Sequence, residues 1–149
     1  MSEKCASEGF KVRGWVRVYL DGELVDEGPN LIVDQGMGYL LNNWANVSAT
    51  NPAYIITTDS TGAVSSSETA VPASVLGYKA ASKTVAGDYS AVTFSCTFAT
   101  GESNGTVGSV AIASGTGGTG EFCRYVLASS VTKTSSNTLT VEYAHEFTW

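Results

Sequence analysis

Few residues in this chain combine type and spacing in a way that does chemistry. The single histidine, His145, is the first candidate, because an imidazole changes charge near neutral pH and serves as a general base. It stands in Leu139, Val141, Tyr143, His145, Phe147, Trp149, where apolar side chains recur at every second position. That setting predicts a core or interface histidine whose ring nitrogens are hydrogen-bonded. The cysteines are Cys5, Cys96 and Cys123. An odd count without CxxC spacing fits neither a disulfide framework nor a zinc site. They read as small apolar side chains, with a Cys96–Cys123 pairing left open. Adjacent carboxylates such as Asp26-Glu27 fall in a hairpin strand and its turn, where a solvated face is expected. No calcium loop of the D-x-D-x-D-G type occurs. Gly115-Thr116-Gly117-Gly118-Thr119-Gly120 is dense enough in glycine to suggest a phosphate cradle. A cradle needs a following Lys-Ser/Thr and a helix. Here Glu121-Phe122-Cys123 follows, so a flexible hairpin tip is predicted.

One surface pattern stands out. Lys11, Arg13, Trp15, Arg17 and Tyr19 alternate with Val12, Gly14, Val16, Val18 and Leu20, placing three cations and two aromatic rings on one strand face. Charge plus stacking suits single-stranded nucleic acid. The chain as a whole is acidic, with 14 Asp and Glu against 8 Lys and Arg. Trp, Tyr and Arg are also enriched where proteins meet, so a protein interface is the better fit. A plain solvated face is the competing reading. These five residues are the interface candidates; no catalytic, cofactor or metal residue is nominated.

The elements that position them follow from periodicity. Phe10 to Leu20 alternates strictly, the mark of a half-buried strand. Asp21-Gly22 signals a tight hairpin, and Glu23 to Glu27 returns antiparallel until Gly28-Pro29 breaks the ladder. Asp34 is a plausible helix N-cap, and Met37, Leu40, Leu41 and Trp44 form one apolar face of a short helix that ends near Asn42-Asn43 and Asn46. Tyr54 to Thr58 is a buried strand, followed by a Ser/Thr-rich surface loop over 59–69. Further strands are expected in Val71 to Ser82, Tyr89 to Phe98, Thr106 to Ala113, Phe122 to Ala128 and Leu139 to Trp149. About eight strands with turn signals every 8–12 residues suggest an antiparallel β-sandwich. The fold class is therefore all-β, an antiparallel sandwich with a jelly roll as one arrangement, plus one short α-helix.

Length and composition agree. The chain has 149 residues, 43% hydrophobic and 15% charged, which suits one folded domain rather than a disordered chain. Ser and Thr supply 35 residues and Gly 16, a composition poor in helix formers. The expected organisation is an N-terminal arm over 1–9 and one β-sandwich domain over 10–149. No apolar run approaches the roughly 18 residues of a transmembrane helix. The first residues lack the apolar stretch of a signal peptide, so a reducing cytoplasm is the expected compartment.

Three ordered segments carry a resemblance. The first is Gly14-Trp15-Val16-Arg17-Val18-Tyr19-Leu20-Asp21-Gly22, leading to Gly28-Pro29-Asn30-Leu31-Ile32-Val33-Asp34-Gln35-Gly36. The second is Tyr39-Leu40-Leu41-Asn42 with Tyr54-Ile55-Ile56-Thr57-Thr58 and its Ser/Thr loop. The third is Val92-Thr93-Phe94, Gly101-Glu102-Ser103-Asn104-Gly105-Thr106 and Leu139-Thr140-Val141-Glu142-Tyr143. Together, over roughly residues 14–149, they resemble a family of small β-rich structural proteins of tailed bacteriophages. The resemblance implies a virion protein, made in the host cytoplasm, that binds other virion subunits. A capsid decoration (cement) protein is the leading expectation. The alternatives are a tail, neck or fibre-associated adaptor and a host-surface module for carbohydrate. The implied partners are the major capsid protein or tail and neck proteins, with a homo-oligomer expected and no nucleic acid or membrane. The family brings no catalytic residues and no cofactor, so an enzyme is not expected.

Overall fold

A computed structural model describes residues 11–47, 50–72 and 74–148. The expected arm over 1–9, with Cys5, as well as Phe10 and Trp149, lies outside the described residues. Among the described residues, nine strands and one helix follow in the order β1 (Lys11–Leu20), β2 (Glu23–Ile32), α1 (Asp34–Trp44), β3 (Tyr54–Thr58), β4 (Val75–Ala80), β5 (Ser82–Val85), β6 (Ala91–Phe98), β7 (Gly105–Ala113), β8 (Glu121–Lys133) and β9 (Leu139–Thr148). The fold is all-β, and every strand pairing is antiparallel. No described helix is long and apolar enough to cross a membrane.

The strands make one sheet in the order β4-β3-β7-β8-β2-β1-β9-β6-β5. It folds back on itself about β2, so the β1, β9 and β6 half faces the β3, β7 and β8 half. Inward-pointing Val16, Val18, Phe94, Phe98, Leu139 and Val141 from one half meet Ile55, Val107, Val110, Ile112 and Leu127 from the other. At the far ends the chain passes from β4 on one edge to β5 on the other through Ala81 alone. That short link draws the edges together, and β4 contacts β6, so the sheet is nearly closed. Of the expected strand Val71 to Ser82 only β4 forms, from Val75, and the additional edge strand β5 starts at Ser82 and runs on to Val85, where no strand was expected. Edge strands this short, one of four exposed residues bearing Lys83, resist pairing with other chains.

The Asp21-Gly22 hairpin forms as expected, with both residues at positive φ (50° and 82°), the primed turn that matches strand twist. β2, however, runs straight through Gly28-Pro29. It pairs with β8 only at Leu31 and Ile32, so at Pro29 that side of β2 is an edge, where proline is tolerated. Past the ladder, the Asp26 side chain takes over the contact. Its carboxylate accepts from Tyr125 Oη at 3.0 Å and from the Ala128 amide at 2.7 Å. β8 is longer than expected at 13 residues, and an irregularity beside Ala128–Ser130 lets it pair with both ends of β7.

The helix turns a different face inward from the one its apolar spacing predicts. Val33 is the N-cap and Asp34 occupies the first turn, where a carboxylate complements the helix dipole. Gly36 is the one buried residue of α1, and Tyr39 packs its ring 5.0 Å from that of Phe122. Met37 and Leu40 are half-buried, but Leu41 and Trp44 point outward, Trp44 at 90% exposure. The closest approach decides the rotation. A Cβ on Gly36 would lie 2.8 Å from Phe122 Cα, so only glycine lets the helix backbone rest on β8 here.

The Ser/Thr-rich segment is a strap rather than a peripheral loop. Residues 59–72 lie over the outer face of β3 and β7, where Ile56, Val71, Ala111 and Ala113 form a second small core. This explains why β3 is buried on both faces from Ile55 to Thr58.

Candidate functional site

The β1 register builds a flat outer face around Trp15. Trp15 sits opposite Pro29 of β2 and Ala144 of β9, and Thr93 of β6 continues the row. These small neighbours leave the indole uncovered at 40% exposure. Arg13 lies opposite Glu146, and Arg17 lies between Glu27 and Glu142. Arg17 Nε donates to Glu27 Oε2 at 3.2 Å. Tyr19 stands opposite Thr140 and Leu24. The alternation read from the sequence therefore holds over described β1, with Gly14, Val16 and Val18 buried and Lys11, Arg13, Trp15 and Arg17 exposed.

The face is not a bare basic stripe. Lys11, Arg13 and Arg17 share it with Glu27, Glu142 and Glu146, so the cations are balanced by carboxylates that lie far off in sequence. Phosphate binding draws its energy from uncompensated positive charge; this surface offers little. Beside Trp15 opens a cleft of about 790 Å³, walled by Arg13, Arg17, Pro29, Leu31, Met37 and Glu146. An uncovered aromatic ring between guanidinium groups, at the edge of a cleft with mixed apolar and charged walls, is the chemistry of a docking surface.

The structure brings two other candidates together: His145 Nε2 lies 3.8 Å from Cys123 Sγ. A Cys–His pair suggests a nucleophile and its base. Burial removes that chemistry. Cys123 is fully buried, and desolvation drives its thiol far above the ordinary range. His145, edge-on to Phe94 and Tyr143, is pushed down to about 4 by the same cause. A neutral thiol sealed from solvent beside a neutral, largely buried imidazole is the hydrogen-bonded core histidine that the apolar strand predicts. Cys96 is also a free buried thiol, raised to about 12 by desolvation, so Cys96 and Cys123 do not pair. Among the described residues no group of three His, Cys, Asp or Glu is placed to hold a metal ion.

The Gly-dense segment is the β7–β8 hairpin tip, and its polar groups are committed internally. Gly115 N donates to Thr119 O and Gly118 N to Gly115 O, while Gly118 O accepts from Val71 N of the strap. It is thus a docked tip rather than a free one.

Sequence reasoning missed a buried charged cluster under the strap. Arg124 is sealed and grips Glu68 in a two-point pair, Nη2–Oε1 at 2.7 Å and Nε–Oε2 at 3.1 Å. It also donates to the carbonyls of Gly62 and Ala63. Glu121, at 0% exposure, has no hydrogen-bond partner for either carboxyl oxygen; its Oε1 lies 3.7 Å from Arg124 Nε. Desolvation, then the Glu68 carboxylate, pushes Glu121 up to about 8 against the pull of Arg124. Burial also works to raise Glu68, but its hydrogen bonds to Arg124 and to the Ser65 amide outweigh that and hold it below the usual value. A signal was present in Glu121-Phe122-Cys123-Arg124: charges flanking an apolar pair inside a strand. Nothing in it pointed to Glu68.

No protein-family model, no curated protein and no solved structure matches the chain. The functional reading therefore rests on this geometry and on the sequence patterns.

Proposed function

We propose that the chain is a structural, non-enzymatic subunit of a tailed-bacteriophage virion, a capsid decoration protein that attaches through the face around Trp15. The observation that carries a docking role is the exposed Trp15 between Arg13 and Arg17 at the mouth of the 790 Å³ cleft. The virion setting is supported by the resemblance of the segments within residues 14–149. A partner that covers this face desolvates the indole and the guanidinium groups together, the composition of an interface centre. A decoration protein that binds only the assembled shell stabilises it by mass action. The balanced charges favour a protein partner over nucleic acid, because Arg13 and Arg17 each already face a carboxylate.

The test is the double variant Trp15→Ala, Arg17→Ala. Both side chains lie on the outer face, so the fold should survive while contact fails. Truncating such a pair at an interface centre costs about 2 kcal/mol or more, roughly a thirtyfold loss of affinity. Occupancy on purified particles and size-exclusion mass are the readouts. Full occupancy and unchanged assembly would refute the reading. Occupancy mapped to the tail or neck instead of the shell would identify the adaptor alternative. The uncovered indole beside Arg and Glu also suits stacking on a sugar ring, so a glycan array is the check on the carbohydrate alternative.

A further inference from the structure

The strap over 59–72 is fastened at several points, among them the Asp34 amide of α1, which donates to Ser66 O at 2.8 Å, and Thr58 Oγ1, which donates to Pro72 O at 3.1 Å. Arg124 holds Glu68 and the carbonyls of Gly62 and Ala63. Gln35 Nε2 of α1 donates to Thr69 O, and Glu121 N donates to the same carbonyl. Val71 N donates to Gly118 O. Directly beneath lies the Glu121 carboxyl, fully buried, with both oxygens unpartnered. The titratable and charged groups that face it are Glu68 from the strap, Arg124 and Cys123 from its own strand, and Tyr143 from β9. The only cation among them is Arg124, and its fork is already spent on Glu68.

We propose that the Glu68–Glu121 pair, sharing one guanidinium, makes the strap a proton-held latch: it stays down while Glu121 is protonated and lifts from β3 and β7 when that proton is lost to solvent. Geometry forces the choice. With Arg124 committed to Glu68 and Glu121 closed to water, one arginine cannot satisfy both carboxylates. Lifting the strap hydrates Glu121 and frees Arg124 to face either carboxylate. Its cost is exposure of Ile56, Val71, Ala111 and Ala113, a small core that can open without unfolding the main one. Cys123 and Tyr143 are themselves driven upward by burial, so they stay neutral through the same range. The transition is expected near the Glu121 value of about 8. The latch does not depend on what binds around Trp15.

The experiment is amide hydrogen exchange from about pH 6 to about pH 9, with intrinsic exchange rates divided out, on the wild type, Glu121→Gln and Glu68→Gln. In the wild type, protection of the 59–72 peptide should fall about tenfold across this range while that of β9 holds. Both glutamine variants remove one of the two carboxylates, so their strap protection should stay flat with pH, whatever its absolute level. If one variant does not fold, the other still decides, because the readout is pH dependence. Constant wild-type protection, or an equal fall in a folded glutamine variant, would overturn the proposal.

Discussion

The Tyr143 hydroxyl donates to the main-chain carbonyl of Val110 at 2.6 Å, joining β9 to β7 through the middle of the core. It is a buried polar tie between the two halves of one folded sheet. Both residues are fully buried. Removing the donor with Tyr143→Phe keeps the ring and loses the bond, which should cost about 1 kcal/mol. For a domain of this size that lowers Tm by roughly 2–4 °C. Denaturant unfolding should show a lower midpoint with an unchanged slope; an unaltered midpoint would mean the bond carries no net stability.

Two helix glycines should respond with opposite signs. Gly36→Ala places a methyl against the Phe122 backbone, which cannot yield without lifting α1 from β8. Overpacking of this kind costs about 1–3 kcal/mol. Gly38 has nothing within 4 Å of the added carbon. Gly38→Ala should therefore stabilise by roughly 0.5–1 kcal/mol through helix propensity. Thermal melts of the two single variants, side by side, check the pair.

That contrast also marks how far the fold was legible. Strict alternation exposed β1, β6 and β9, because each has one face in the core and one in solvent. Asp21-Gly22 exposed the hairpin, because its turn demands positive φ at both positions. The helix was legible as a helix but not in its rotation. Hydrophobic spacing nominated Leu41 and Trp44, whereas contact with β8 selected Gly36, whose lack of a side chain gives no hydrophobic signal. The strap was hidden for a related reason. Its Ser/Thr-rich sequence looks solvated, and what holds it down is Arg124, 56 residues from Glu68. At the candidate site, the basic-aromatic stripe was visible in one strand. The balancing Glu142 and Glu146 became visible only through the β1–β9 register.

The described cysteines should be silent in the native state. Desolvation raises Cys96 to about 12 and Cys123 further, so neither forms appreciable thiolate near pH 8. Peptide mapping after a brief pulse of alkylating reagent should find both unmodified in folded protein and both labelled in denaturant. Fast native labelling of Cys123 would reopen the Cys123–His145 pair as reactive chemistry.

Stability should peak in mildly acidic solution, because two buried groups titrate in opposite senses. His145 is depressed from about 6.5 to about 4, so the unfolded chain takes up a proton that the folded chain refuses. Its contribution is lost as pH falls through that window. Glu121 is raised from 4.5 to about 8, so the folded chain holds a proton that the unfolded chain releases. Its contribution is complete below 4.5 and is lost as pH rises toward 8. Between about 4.5 and 6.5 the two slopes oppose each other; from 6.5 to 8 Glu121 acts alone, at no more than about 1.4 kcal/mol per pH unit. Glu68, held low beside Arg124, adds a loss at the acid end, below the ordinary glutamate value of 4.5. Unfolding free energies measured from about pH 4 to about pH 9 should therefore rise, level off between about 4.5 and 6.5 and then decline. Glu121→Gln should abolish the decline while leaving the acid limb, and His145→Gln should flatten the acid limb while leaving the decline. A wild-type curve that stays flat from about pH 6.5 to about pH 8 would show that Glu121 is ionised in the folded protein.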